Sequence, residues 1–238
     1  MSEQRKHAVV LIGPIGSGKS TQADLLSEDF GIFHFETSKI IWEKLNKADP
    51  DDKILQREKE IFKSGKLVTP EIVKKIVIER VHELAQAGKG IVFSGSPRTV
   101  PEAKEEIPVF EQLYGKENVY VVYIALSEEE VIRRNSKRRI CKQNEHPIPN
   151  FPQFENIIEC PRDGSEIITR LLDAPEKIRI RYKTYIEETK PVIDIFRKFG
   201  YKVLEVNGEQ SIEAVHEDIV KALKGRHVSM HVGTLDTR

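Results

Sequence analysis

The sequence predicts an α/β fold in three layers, a five-stranded parallel sheet between two layers of helices. Three observations carry this expectation. The segment Gly13-Pro14-Ile15-Gly16-Ser17-Gly18-Lys19-Ser20-Thr21 satisfies the phosphate-loop pattern G-x-x-x-x-G-K-[ST] at every position. It sits between an apolar run, Ala8 to Ile12, and a helical pattern that begins near Lys19. Along the rest of the chain, short apolar runs alternate with helical stretches, the pattern of a parallel sheet with its ligand at the carboxyl ends of the strands.

Each element has its own signal. Ala8 to Ile12 lacks polar alternation and reads as a strand covered on both faces. Ala23, Leu26 and Phe30 repeat at helical spacing, with Gly31 as the stop. Ile32 to Phe35 is a short second strand, and Thr37 or Ser38 can cap a helix through Ile41 and Leu45. After the polar break at residues 49–52, a further helix ends near Gly65. Thr69-Pro70-Glu71 opens a longer one carrying Ile72, Ile76, Val77 and Val81, since proline is tolerated in a first turn.

Ile91 to Phe93 is the third strand, and Pro101 starts a helix through Phe110 and Leu113. Val119 to Leu126 is the fourth strand, and Ser127 to Glu130 resembles a capping signature for a basic helix, Val131 to Arg139. From Cys141 to about Ile168 periodicity is lost and four prolines appear, which reads as an insertion or mobile loop. Helix resumes near Pro175, and Thr189-Lys190-Pro191 must kink or interrupt it. Lys202 to Val206 is the fifth strand, Ser211 to Leu223 a closing helix, and residues 225–238 a polar tail expected to be disordered.

Composition narrows the class of partner. The 238 residues carry 38 basic and 38 acidic side chains, a balance that argues against nucleic acid. No apolar run approaches a membrane span of roughly 18 residues, so no membrane partner and a cytoplasmic location are expected. Two cysteines, Cys141 and Cys160, cannot build a disulfide framework and suit a reducing compartment. A monomer is expected, because no surplus of hydrophobic surface is evident.

The phosphate loop itself implies a nucleoside triphosphate. Gly13, Gly16 and Gly18 permit turn conformations in which successive N–H groups, with Ser17 between the last two, point inward at phosphate, and Lys19 can reach the β- and γ-phosphates. The hydroxyl of Ser20 faces Mg²⁺, with Thr21 following on the helix.

Beyond the loop, the chain resembles the adenylate kinase family over Val9 to about Leu223. The segments that carry the resemblance are Gly13 to Gln22, Gly31 to Ile41, Gly65 to Thr69, Gly95-Ser96-Pro97-Arg98-Thr99, Arg134 to Arg139, and Arg170 through Arg181. The resemblance implies a P-loop NTPase core, residues 1–37, 88–140 and 169–224, with two insertions. Residues 38–87 would form a helical segment over a nucleoside monophosphate, and residues 141–168 a lid over ATP. It implies ATP and Mg²⁺ as cofactors and direct phosphoryl transfer to a monophosphate acceptor. By the same resemblance Arg98 binds the acceptor phosphate, Arg138 and Arg170 the transferring group, and Arg181 both sides. Arg134 stacks on the donor base, Gln210 lies on the donor side, and Asp173 orients the lid arginines. Thr37, Lys39, Val68, Gly95, Arg98 and Glu102 fall at acceptor positions.

Several positions depart from the family pattern. Lys39 and Trp42 stand where an Asp and a phosphate-binding Arg are usual, Glu102 where a Gln reads adenine, and Ser96 where the FPR motif has Phe. Ser94 replaces an Asp that organises Mg²⁺-bound water. An ionised carboxylate at 102 accepts but cannot donate, which suits guanine or cytosine better than adenine. AMP is the expected acceptor, with CMP, UMP, GMP or a non-nucleotide alcohol as alternatives, and a catalytically weak ATP-binding regulatory protein as a reading from another class. Some family members hold the lid with zinc through C-x-x-C and C-x-x-[CD]. Here the pattern runs Cys141 to Asn144 and Cys160 to Asp163. Asn144 is a poor zinc ligand and His146 only a substitute, so small buried cysteines are favoured over a structural zinc.

Overall fold

Strand β1 (Ala8–Ile12) is buried at every residue, and its side chains part to two apolar clusters. Ala8, Val10 and Ile12 enter one, Val9 and Leu11 the other. The computed structural model describes residues 6–63, 68–136, 138–144, 146–148, 154–169 and 175–224. Around β1 lie β2 (Phe33–Phe35), β3 (Ile91–Phe93), β4 (Val119–Ala125) and, last in the chain, β8 (Val203–Asn207). All pair in parallel in the order β2-β3-β1-β4-β8, which is the expected sheet.

Helices cover both faces because both faces of the strands are apolar. Helix α1 (Lys19–Phe30) and the last helix, α9 (Ile212–Lys224), bury Ala23, Leu26, Val215, Ile219 and Leu223 against one face. The other takes α4 (Pro70–Gln86), α5 (Val100–Tyr114) and α8 (Val192–Lys198) through Val77, Val81, Ile107, Phe110 and Phe196. Each such fully buried side chain contributes about 1.5–3 kcal/mol of transfer free energy.

Helices α2 (Thr37–Asn46) and α3 (Lys53–Lys63) stand beside the sheet and share a smaller core with α4, built on Ile41, Leu45, Val68 and Ile76. Glu58 of α3, 3% exposed, fixes the start of α4: its carboxylate accepts from the Thr69 N–H at 2.9 Å and the Thr69 hydroxyl at 2.8 Å. That replaces capping by Thr69 itself.

Three local expectations are revised. Helix α2 begins at Thr37 with Glu36 in the cap position and no side-chain cap, so neither Thr37 nor Ser38 serves as one. The helix expected to reach Arg139 is α6 (Glu128–Ser136), and Arg139 belongs instead to a strand. The stretch read as a loop contains a three-stranded antiparallel sheet, β6-β5-β7, of β5 (Arg139–Cys141), β6 (Pro147–Ile148) and β7 (Ile167–Thr169). Its strands are two or three residues long, below the length at which alternation can be read. The break near Pro191 takes the form of a π-helical turn, Tyr185–Thr189, between α7 (Pro175–Thr184) and α8, closed by Lys190 N–H donating to Tyr185 O at 2.8 Å. Residues 225–238, read as a tail, lie outside the described residues.

Candidate active site

The loops after β1, β2, β3 and β8 converge with α6 and the small sheet on one cleft of about 550 Å³. Its floor is the phosphate loop. Gly18, at φ +89°, supplies the left-handed N-cap that turns the loop into α1. Gly16, at φ +75°, passes so close to α6 that a Cβ there would lie 2.4 Å from Asn135 Nδ2. Asn135 is fully buried, and its amide donates to Val131 O at 2.7 Å and to the loop carbonyl of Ile15 at 3.2 Å. It ties the loop to α6, and no sequence motif marks it.

Lys19 donates to the carbonyls of Gly13 and Pro14, each at 2.7 Å. Burial, and then the positive charges of Arg98, Arg181 and Arg138, pull its ammonium down to about 7. Lys19 follows β1, Arg98 follows β3, Arg138 lies between α6 and β5, and Arg181 is on α7, yet the three arginines act on Lys19 and all four line one cleft. Such a concentration of positive charge suits a polyphosphate. Arg98 is itself lowered by burial, against the opposing charge of Glu102.

Gly95 brings Thr37 and Arg98 together: a Cβ on it would stand 3.2 Å from both Arg98 Nη2 and Thr37 Oγ1. The Thr37 hydroxyl is buried with no hydrogen-bond partner among the described residues, an orphaned donor on the cleft wall. Lys39 lies on the same wall, paired with Glu36 at 2.8 Å. On the opposite side Arg134 donates to Glu130 Oε1 at 2.5 Å and to Gly208 O at 2.8 Å, which fixes its guanidinium beside Gln210. Gln210 is held by donation to Asp218 Oδ2 at 2.8 Å.

The structure therefore gathers Gly16, Ser17, Gly18, Lys19, Ser20, Thr21, Thr37, Lys39, Gly95, Arg98, Arg134, Arg138, Arg181 and Gln210 around one cleft. Two of the expected residues stand off it. Val68 packs in the small core of α2 and α4. Glu102, 7% exposed, accepts the Arg98 N–H at 2.7 Å, while its own N–H donates to Thr99 Oγ1 at 3.4 Å, so both groups serve the start of α5. Arg170 and Asp173 lie outside the described residues.

A second cluster occupies the small sheet. Ligand atoms of Cys141, His146, Cys160 and Asp163 all lie within 4.8 Å of one another. His146 Nδ1 is 3.1 Å from Asp163 Oδ2 and 3.5 Å from Cys160 Sγ, and Cys141 Sγ is 3.3 Å from the same Asp163 oxygen. This revises the ligand pattern. Position 144 is not in the set, because the Asn144 amide donates to Asp163 at 2.8 Å, and the turn after β5 brings His146 in instead. Among the described residues no helix is long and apolar enough to cross a membrane.

Known proteins supply independent bearings on this site. The sequence profile of a family described as Adenylate kinase matches residues 11–201, a span that includes the cleft's phosphate loop and arginines. A relative named adenylate kinase from Caldanaerobacter subterraneus subsp. tengcongensis is 36% identical over 220 residues, covering 91% of this chain and 96% of its own. Others with that name, from Oceanobacillus iheyensis and Methanothrix thermoacetophila, are 33% and 34% identical, covering 91% and 90% of this chain and 98% and 97% of theirs. With the phosphate loop, the converging arginines and relatives matched over nearly their whole length, the chain belongs to the adenylate kinase family.

Proposed function

We propose that this protein transfers the γ-phosphoryl group of Mg-ATP reversibly to AMP, giving two ADP. The observation that carries the reading is the convergence of Lys19, Arg98, Arg138 and Arg181 on one point at the carboxyl ends of the strands. Phosphoryl transfer asks for alignment of donor and acceptor and for positive charge around the moving group. An oxygen of the acceptor phosphate forms the new P–O bond in line as the bond to the β–γ bridging oxygen breaks, and no enzyme side chain is phosphorylated.

In this reading Lys19 and the loop amides hold the donor phosphates, and Arg134 and Gln210 the donor's base side. Arg98 and the orphaned Thr37 hydroxyl hold the acceptor phosphate, while Arg138 and Arg181 close on the group in transit, with Arg170 assigned to the same task by resemblance. The Ser20 hydroxyl would hold the Mg²⁺ that accompanies ATP, and the ion would supply positive charge to the donor phosphates. Residues 38–87 form the acceptor segment and residues 141–168 the lid. With the Glu102 carboxylate engaged by backbone, its charge does not bias the choice of base toward guanine or cytosine.

The test is ADP release from Mg-ATP with AMP, GMP, CMP, UMP and dAMP in turn. AMP is expected to exceed the other ribonucleotides in kcat/KM by at least about tenfold. A better rate with another base would assign a different acceptor, and no turnover with any, despite ATP binding, would leave a nucleotide-binding protein.

The same proposal includes a structural zinc in the lid. Cys141, Cys160, His146 and Asp163 would supply two sulfurs, an imidazole nitrogen and a carboxylate oxygen, four donors of the kinds that zinc takes, supported at the edge by Ser165 and Asn144 on Asp163. When bound, the metal would crosslink the β5–β6 turn to the chain before β7. Purified protein is expected to carry one zinc per chain, and His146→Ala to lose it, measured by elemental analysis. Full zinc content in His146→Ala would remove that residue from the set.

A further inference from the structure

Four polar side chains on the cleft wall form a chain that the phosphate-transfer machinery does not account for. Asp24 on α1 uses its two carboxylate oxygens in opposite directions. Oδ1 is 2.7 Å from His34 Nδ1, and Oδ2 accepts from Arg162 Nη1 at 2.9 Å. On the far side of the imidazole, His34 Nε2 is 2.7 Å from Ser94 Oγ at the carboxyl end of β3. All four residues line the cleft, and they come from α1, β2, the loop after β3 and the small-sheet segment.

We propose that Asp24 is a positioning residue that couples docking of the small-sheet segment, through Arg162, to the setting of the Ser94 hydroxyl, through His34, at the floor of the phosphate cleft. The inference rests on the phosphotransferase reading above for its kinetic consequences, but not for its geometry.

The chemistry follows from donor and acceptor inventories. An ionised carboxylate can only accept, so the hydrogen between Asp24 and His34 belongs to Nδ1. Burial favours the neutral acid at Asp24, but hydrogen bonds from His34 and Arg162 outweigh it and hold the carboxyl below its usual value. In the neutral imidazole Nε2 is then an acceptor and takes the Ser94 hydroxyl hydrogen. The Ser94 oxygen is left presenting lone pairs to the cleft, as an acceptor of fixed direction. Without Asp24 the imidazole can exchange tautomers, and the hydroxyl loses that direction.

The other arm reaches the segment that carries the Cys–His–Asp cluster. Arg162 sits in a tight turn, closed by Cys160 N–H to Ser165 O and Gly164 N–H to Cys160 O, both at 2.8 Å. The turn fixes the backbone from which the Arg162 side chain reaches Asp24. The Arg162–Asp24 pair is half-exposed, so this arm is a weak latch rather than a lock. The His34–Asp24 contact is more sheltered, with the imidazole only 13% exposed.

The test uses the full-length protein and the variants Asp24→Ala, Arg162→Gln and the double variant. In the wild type without nucleotide, nitrogen NMR of His34 is expected to show the Nδ1-protonated tautomer, and Asp24→Ala to shift it toward Nε2–H. Kinetically, Arg162→Gln is expected to lower kcat/KM for Mg-ATP about threefold to tenfold and Asp24→Ala about thirtyfold, with the double variant no worse than Asp24→Ala. Arg162→Lys should recover most of the loss. Losses that multiply in the double variant, or a His34 spectrum indifferent to Asp24→Ala, would overturn the coupling. Absence of turnover in the wild type would instead sink the phosphotransferase reading, and the NMR arm would still decide the relay.

Discussion

Lys19→Ala is expected to lower kcat by about three orders of magnitude, the scale on which phosphoryl-transfer enzymes lose rate when a pre-placed positive charge is removed. The ammonium lies within the phosphate loop, 2.7 Å from two of its carbonyls. Steady-state kinetics at saturating Mg-ATP and AMP measure the effect, and an unchanged circular dichroism spectrum separates it from unfolding. A loss under tenfold would move the burden of charge stabilisation to the arginines.

The same residue gives a proton signature. Its folded value is lowered to about 7 from 10.5. Between these two values the unfolded chain binds more protons than the folded one, so the Lys19 contribution to stability rises with pH across that window. Below it both states are protonated, and the full cost of holding a buried cation among arginines is present. Polyphosphate oxygens reverse the balance and restore the charged form. ATP binding at pH 8 is therefore expected to take up about one proton, falling toward zero at pH 6. Calorimetry in two buffers of different ionisation enthalpy reads this uptake, and Lys19→Ala should abolish it.

Arg98→Ala is expected to lower kcat/KM for the acceptor by about two to three orders of magnitude. The Arg98 side chain lines the cleft, its backbone N–H is held by Glu102, and Gly95 lacks the Cβ that would crowd both its guanidinium and the Thr37 hydroxyl. Arg98→Lys should restore only part of the loss, because a point charge cannot reproduce a planar two-donor contact with phosphate. The signature is a raised KM for AMP with the KM for ATP little changed. Equal effects on both substrates would place Arg98 at the transferring group rather than at the acceptor.

Other features of the site divide by whether their signal is local. The phosphate loop is contiguous, and its glycines, lysine and hydroxyl are fixed by chemistry that acts over nine residues, so Gly13 to Thr21 was readable in full. Arg98, Arg138 and Arg181 were readable only as resemblance, since an isolated arginine carries no periodic signal. Glu102 illustrates the limit. Its position suggested a base-reading carboxylate, whereas the fold uses it to start α5. The pattern that could have shown this, Thr99 followed three residues later by Glu102, is a capping box, and it was present in the sequence.

By itself, the sequence determined the parallel sheet, the phosphate loop and the family, because these rest on runs of apolar residues and on motifs whose partners are neighbours in the chain. Tertiary structure alone decided the small sheet at residues 139–169, the entry of His146 in place of Asn144, the seat of Asn135 under Gly16, and the chain from Arg162 through Asp24 and His34 to Ser94. Each is a contact between residues far apart or between strands too short for alternation. Hydrogen bonds and metal-type clusters of that kind depend on distances of a few ångströms between elements, and the chain sets those distances only when its helices have packed on the sheet.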